Sequence, residues 1–110
     1  MDFVVTEFKR SILVDLGGRI DSSAAPELQQ KLEALTSAGH HRLIINMADV
    51  SFISSGALRA LITTLSACRK SRGDLRLSEP SVAVQRVLDL TSLNIHFKIY
   101  PSDTEAVGSF

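Results

Sequence analysis

Thiol chemistry is nearly absent from this chain of 110 residues: its one cysteine, Cys68, has no second cysteine for an internal disulfide or a shared metal. Proteins of oxidising compartments favour paired cysteines, so an intracellular, cytoplasmic setting is expected. Net charge is absent too, because twelve basic residues balance twelve acidic ones. A broad basic face for direct nucleic-acid binding is therefore not expected. No apolar run approaches the roughly 20 residues that span a bilayer. The opening Met1-Asp2-Phe3-Val4-Val5-Thr6-Glu7 has no basic segment followed by a long apolar one. Neither direct membrane insertion nor a signal peptide is expected.

Catalytic signatures are missing as well. Gly17-Gly18 is followed by no Gly-Lys-Ser/Thr, so it reads as a bulge or turn, not a phosphate cradle. Ile53-Ser54-Ser55-Gly56 lacks the first glycine of a nucleophile elbow, and no spacing favours His41 or His96 as a base. His40-His41 has no carboxylate or cysteine at ligand spacing and reads as solvated. No enzyme, metal or cofactor is expected.

The composition, 45% hydrophobic and 22% charged, is that of one folded domain over residues 1–110, without repeat, linker or low-complexity tract. Phe3 to Phe8 and Ser11 to Leu16 are β-rich runs separated by Lys9-Arg10, an opening hairpin, with Gly17-Gly18 breaking the second run. Ser22-Ser23 offers capping hydroxyls, Pro26 suits a first turn, and Ala25, Leu28, Leu32 and Leu35 recur at helical spacing. Leu43 to Met47 is apolar enough for a central strand.

A helix from about Ser55 to about Lys70 carries Leu58, Leu61, Ile62, Leu65 and Cys68 as its core stripe. Ala57, Ala60, Thr64 and Ala67 make a second, small-residue stripe open to close approach. Arg69, Lys70 and Arg72 sit at its end, where the dipole favours cations. Leu75-Arg76-Leu77 is a short strand, Val84, Val87 and Leu88 face a helix inward, and Ile95 to Ile99 alternates like a half-buried last strand with His96 on its surface. Asp103 to Val107 can form a final helical turn. The order β-β-α-β-α-β-α-β predicts an α/β domain with a mixed, mostly parallel sheet.

Binding surfaces in such folds lie where strands end and helices begin. Ser54 and Ser55 occupy such a junction, and the leading amides of a helix, with its dipole, favour a phosphate there. One of the two hydroxyls can equally serve as the helix cap. Asp21, at the end of the second strand, can line the same surface or cap the first helix.

These segments in order resemble the STAS domains, named for sulfate transporters and anti-sigma-factor antagonists. Leu16-Gly17-Gly18-Arg19-Ile20-Asp21 is similar to the family's Leu-x-Gly-x-Leu-Asp, and Pro80 through Leu93 to its Pro-x-Val-x-x-x-Leu-x-x-x-x-Leu. Asn46 through Leu58 resembles its signature, usually Asp-Ser-Ser-Gly-Leu or Ser-Ser-Ala-Gly-Leu after an aromatic and an aliphatic residue. Here Ser54 stands at the Asp position and Ala57 where the family has glycine before Leu58.

The resemblance implies a STAS-like single domain acting as an anti-sigma-factor antagonist. Ser55 would be the phosphorylated residue, with Ser54 as second choice, and Asp21, Ser54, Ser55, Gly56, Ala57, Leu58 and Arg59 the partner-binding set. The implied partners are an anti-sigma-factor serine kinase of the histidine-kinase-like ATPase type, which holds the ATP and Mg²⁺, and a PP2C-type phosphatase. An alternative keeps the fold without the switch: an unmodified assembly module, for example a cytoplasmic subunit of a membrane transport complex.

Overall fold

In the computed structural model, which describes all 110 residues, strand β1 (Asp2–Glu7) and strand β2 (Ile12–Ile20) form an antiparallel hairpin. Its turn at Lys9 and Arg10 is closed by the Phe8 amide donating to the Ser11 carbonyl at 2.8 Å. Then follow α1 (Ala25–Ser37), β3 (Arg42–Ile53), α2 (Ser55–Lys70), β4 (Asp74–Ser78), α3 (Val82–Leu90), β5 (Ile99–Tyr100) and α4 (Asp103–Gly108). The sheet order is β1-β2-β3-β4-β5, and every pair after the first is parallel. Each parallel step needs a crossover, which α1, α2 and α3 supply.

Period-two side chains divide the two faces. Ile12, Val14 and Leu16 of β2 and Leu43, Ile45 and Met47 of β3 join Leu28, Leu32, Leu61, Leu65, Val84 and Leu88 of the crossover helices in one buried core. Leu13 and Ile44 point the other way, against Ala106 of α4 with Tyr100 and Phe110 beside it. Both faces of β3 are thus covered near its start, which is why Leu43 to Met47 is apolar without alternation. Asp74 opens β4 almost buried and is held on both oxygens, by Arg69 Nε at 3.1 Å and Arg76 Nε at 3.0 Å.

Four details differ from the sequence expectations. β2 does not break at Gly17-Gly18; it runs on to Ile20 through register shifts against β3, with Gly18 at φ +91, so the pair is a bulge inside the strand. The run from Ile95 to Ile99 is mostly not a strand. Leu93–Ile95 is a 3-10 turn, Ile95 is 77% exposed, and only Ile99–Tyr100 pairs with β4. His96 lies in the loop between, where its carbonyl accepts from Arg69 Nη2 at 3.0 Å. Neither Ser22 nor Ser23 caps α1, which has no side-chain cap at all; Asp21 holds the turn just before it. His41, expected in solvent, is half-buried with its Nδ1 enclosed.

Candidate functional site

Ile20 and Ile53 are register partners at the ends of β2 and β3, and the Ser54 amide donates to the Ile20 carbonyl at 2.8 Å. The segments leaving the two strands therefore start side by side, which brings Asp21 next to Ser54 and Ser55. Asp21 Oδ1 accepts from the Ser23 amide at 3.1 Å, the Ser23 hydroxyl at 2.6 Å and the Ala24 amide at 3.1 Å. The Ser23 hydroxyl bond above all, with the Ala24 amide, holds the carboxyl below the usual aspartate range, and Arg19 adds to this. Asp21 is thus charged and fixed by the turn that leads into α1, at the rim of the surface.

The two serines differ in what the fold asks of them. Ser54 has extended backbone at φ −82, ψ 164, and its Oγ accepts from the Ala57 amide at 3.1 Å, so it is the N-cap of α2. Ser55 is the first helical residue, is exposed, and its hydroxyl has no hydrogen-bond partner in the chain. The amides of Ser55 and Gly56 lead the helix and have no preceding carbonyl within it to bond.

Arg59, exposed and four residues on, shares the face of Ser55 and belongs to no ion pair. A group on Ser55 Oγ would meet the positive helix end and have a free guanidinium within one turn.

The rest of the expected binding set is placed differently. Ala57 is fully buried and Leu58 is 4% exposed, so both belong to the core beneath the surface. Gly56 is explained inside the domain: a Cβ there would come within 3.2 Å of Ala25 Cβ, so glycine lets α1 pass close to α2. Ala57, Ala60 and Thr64 of the small-residue stripe are likewise buried, and only Ala67 is exposed.

Three exposed or partly exposed residues not singled out from sequence lie at the same end of the sheet. The Arg19 guanidinium lies 4.3 Å from the centre of the Phe52 ring, one step before Ile53, and Phe52 remains 38% exposed. Val82 opens α3 and is 76% exposed. Its helix is anchored at the same end of β3 by Ser81, whose hydroxyl donates to the Val50 carbonyl at 2.6 Å and whose Oγ accepts from the Val84 amide at 3.2 Å. An exposed aromatic just before the serine pair was the available sequence signal.

Behind the site, Asp15, Asn46 and Ser78 are cross-strand neighbours on β2, β3 and β4. Asn46 Nδ2 donates to Asp103 Oδ1 at 2.8 Å and to Glu79 Oε2 at 3.2 Å, and Ser78 Oγ donates to Asp103 Oδ1 at 2.6 Å. Partial burial, followed by the charges of Asp103, Asp49 and Glu79, raises the Asp15 carboxyl above its usual range. No three His, Cys, Asp or Glu side chains converge to hold a metal ion. Cys68 is buried, and burial, with Asp74 nearby, pushes its thiol up to about 11.

The geometry defines the class first: a small α/β domain whose strand-to-helix junction presents a free serine hydroxyl among exposed apolar and charged side chains. Residues 3–106 match the STAS domain family, and the chain belongs to it. It is 34% identical over 89 residues to the anti-sigma-B factor antagonist of Bacillus subtilis (strain 168), covering 81% of each chain. Among solved structures it is similar to an anti-sigma factor antagonist from Mycobacterium paratuberculosis, with TM-score 0.87 and 27% identity over 97% of this chain and 91% of that one. The phosphorylated form of the Bacillus cell fate determinant SpoIIAA shares the fold, at TM-score 0.77 and 19% identity over 97% of both chains. The relatives are antagonists of anti-sigma factors, regulatory binding proteins rather than enzymes. No helix is long and apolar enough to cross a membrane.

Proposed function

We propose that this protein is a cytoplasmic partner-switching regulator whose grip on an anti-sigma-factor serine kinase is set by phosphorylation of Ser55. The observation that carries the reading is the division of labour at the junction: Ser54 holds the helix cap, which leaves the exposed Ser55 hydroxyl free of any structural bond. The unmodified surface, formed by Asp21, Ser54, Ser55, Gly56 and Arg59 with Phe52 and Val82 beside them, binds the histidine-kinase-like ATPase and so releases the sigma factor. The kinase supplies ATP and Mg²⁺, transfers phosphate to Ser55, and loses its hold. A PP2C-type phosphatase restores the binding state.

The physics of the step favours a switch over a collapse. Phosphate adds about −1.5 to −2 charge and three acceptor oxygens. At the first residue of a helix of 16 residues that charge is favourable by about 0.3–1 kcal/mol. A partner packed over Ser55 must instead desolvate a dianion, which a close-fitting interface does not tolerate.

The test is the intact mass of the protein from its native host, with fragmentation to place any added phosphate, alongside kinase binding by Ser55→Asp. Phosphate on Ser55 and lost binding by Ser55→Asp are expected. Wild-type binding by Ser55→Asp, or an unmodified protein under all growth conditions, would overturn the switch and leave an unmodified assembly module.

A further inference from the structure

At the opposite end of β3 from Ser55, the strand N-termini carry a second feature that the partner surface does not use. The β1–β2 turn, the α1–β3 loop and the α2–β4 loop converge around a bowl of about 470 Å³, only two of whose 13 lining residues are hydrophobic. Lys9 and Arg10 come from the first, Arg42 from just after the second, and Arg72 from the third, against one acid, Glu7. None of these four cations is in an ion pair; the chain's salt bridges all involve Lys31, Arg69 or Arg76. A chain with no net charge therefore gathers unpaired positive charge at one concave place.

The floor of the bowl supplies an independent sign. Ser11 is 6% exposed, and its hydroxyl has no hydrogen-bond partner; His41 Nδ1 is buried and unpaired too. Buried polar atoms in folded proteins are nearly always satisfied, and the two side-chain exceptions in this chain both belong to residues that line the bowl. The hydroxyl is a donor, and so is Nδ1 in its protonated tautomer. The floor is also closely packed. Gly73 lies so close to the His41 carbonyl that a Cβ would overlap it, and the Asp74 amide donates to that carbonyl at 2.9 Å.

We infer that this bowl is a binding site for a compact, multiply charged phosphate anion, with Arg10, Arg42 and Arg72 as its charge clamp and Ser11 as a buried donor. Three guanidinium forks with hydroxyl and imidazole donors outnumber the two oxygens of a carboxylate and suit the oxygens of a diphosphate group. The inference does not rest on the Ser55 switch, which lies at the other end of the strand.

The experiment is calorimetric titration of the full chain with sodium pyrophosphate at low ionic strength. One saturable site is expected, with affinity reduced roughly tenfold or more in the Arg42→Gln/Arg72→Gln pair. Ser11→Ala should weaken binding about tenfold or more, the worth of a hydrogen bond to a charged group, without lowering the melting temperature. Arg86→Gln, on α3 outside the bowl, should bind as wild type. No saturable binding, or an equal loss in Arg86→Gln, overturns the site. Unchanged affinity in Ser11→Ala overturns the role of the buried hydroxyl. Association with phosphatidylserine vesicles in the absence of pyrophosphate binding would make the patch a lipid-headgroup surface and overturn the assignment to a free anion.

Discussion

Replacing each of the two junction serines in turn separates the cap from the proposed acceptor. Ser54→Ala removes the one side-chain acceptor of the Ala57 amide, at 3.1 Å, and leaves a first-turn N–H of α2 without its partner. A lost serine cap costs about 0.5–2 kcal/mol. Ser54 is half-exposed, so water replaces part of the bond and the expected loss is about 1 kcal/mol. For a domain of this size that is a fall in Tm of about 4 °C, or a urea midpoint lower by about 0.5–1 M.

Ser55→Ala is different, because no bond is lost and alanine is the better helix former by about 0.5 kcal/mol. Ser55→Asp places a negative charge at the first helical position, a further gain of about 0.3–1 kcal/mol at low salt. The stability order expected from urea unfolding followed by far-UV circular dichroism is Ser54→Ala below wild type, then Ser55→Ala, then Ser55→Asp at or above wild type. A loss in Ser55→Ala as large as that in Ser54→Ala would mean that the Ser55 hydroxyl bears structural load, and the assignment of roles would fail.

Leu58→Asp, at a position 4% exposed in the main core, forfeits a leucine's burial and strands a carboxylate, a loss of at least about 4 kcal/mol; a cooperative thermal transition near that of wild type would show the α2 face to be misplaced. Asp15 binds its proton more tightly folded than unfolded, so its charge lowers stability as pH rises from the ordinary value of 3.8 through the raised folded value. Asp15→Asn should therefore be more stable than wild type at pH 7, with the gain gone at pH 3, as urea midpoints at the two pH values will show. Cys68, with its thiol near 11 and buried, should resist a thiol reagent at pH 8 in the folded protein and react only on unfolding.

Much of the fold was legible because the signals were local. The Lys9-Arg10 hairpin, the helical spacing from Ala25 to Leu32, the apolar run of β3 and the stripe of α2 each follow from side-chain period and end chemistry, and each stands where expected. The misses arise where tertiary context overrides local pattern. Ile95 to Ile99 alternates like a strand, but Arg69 captures the His96 carbonyl and Phe97 alone turns inward, so the segment coils before β5. Gly17-Gly18 is the bulge that was one of its two readings, but pairing with Asp49 and Val50 carries the strand on past the point where the apolar run breaks. At the site, the serine pair and Asp21 were readable from the junction. Which members of the set face outward was not, because Gly56, Ala57 and Leu58 owe their identities to α1 and the core, contacts distant in sequence.

That distribution bears on how a modified surface can evolve on a small domain. The residues that shape the start of α2, Ser54 by its cap, Gly56 by its fit to Ala25 and Leu58 by its burial, are all committed to the fold, and changing any of them acts on the domain itself. Ser55 stands among them with no such commitment, on a backbone held rigid by its neighbours, and Arg59 shares its face one turn on. A charge added there cannot relax by shifting the helix, because cap and core fix it. Under the proposed switch, nearly all of the added electrostatic free energy is then felt by whatever packs on the surface and little by the domain. The free serine needs its structural neighbours for that reason: a flexible acceptor would swing its phosphate into solvent and spare the partner much of the desolvation on which the release depends.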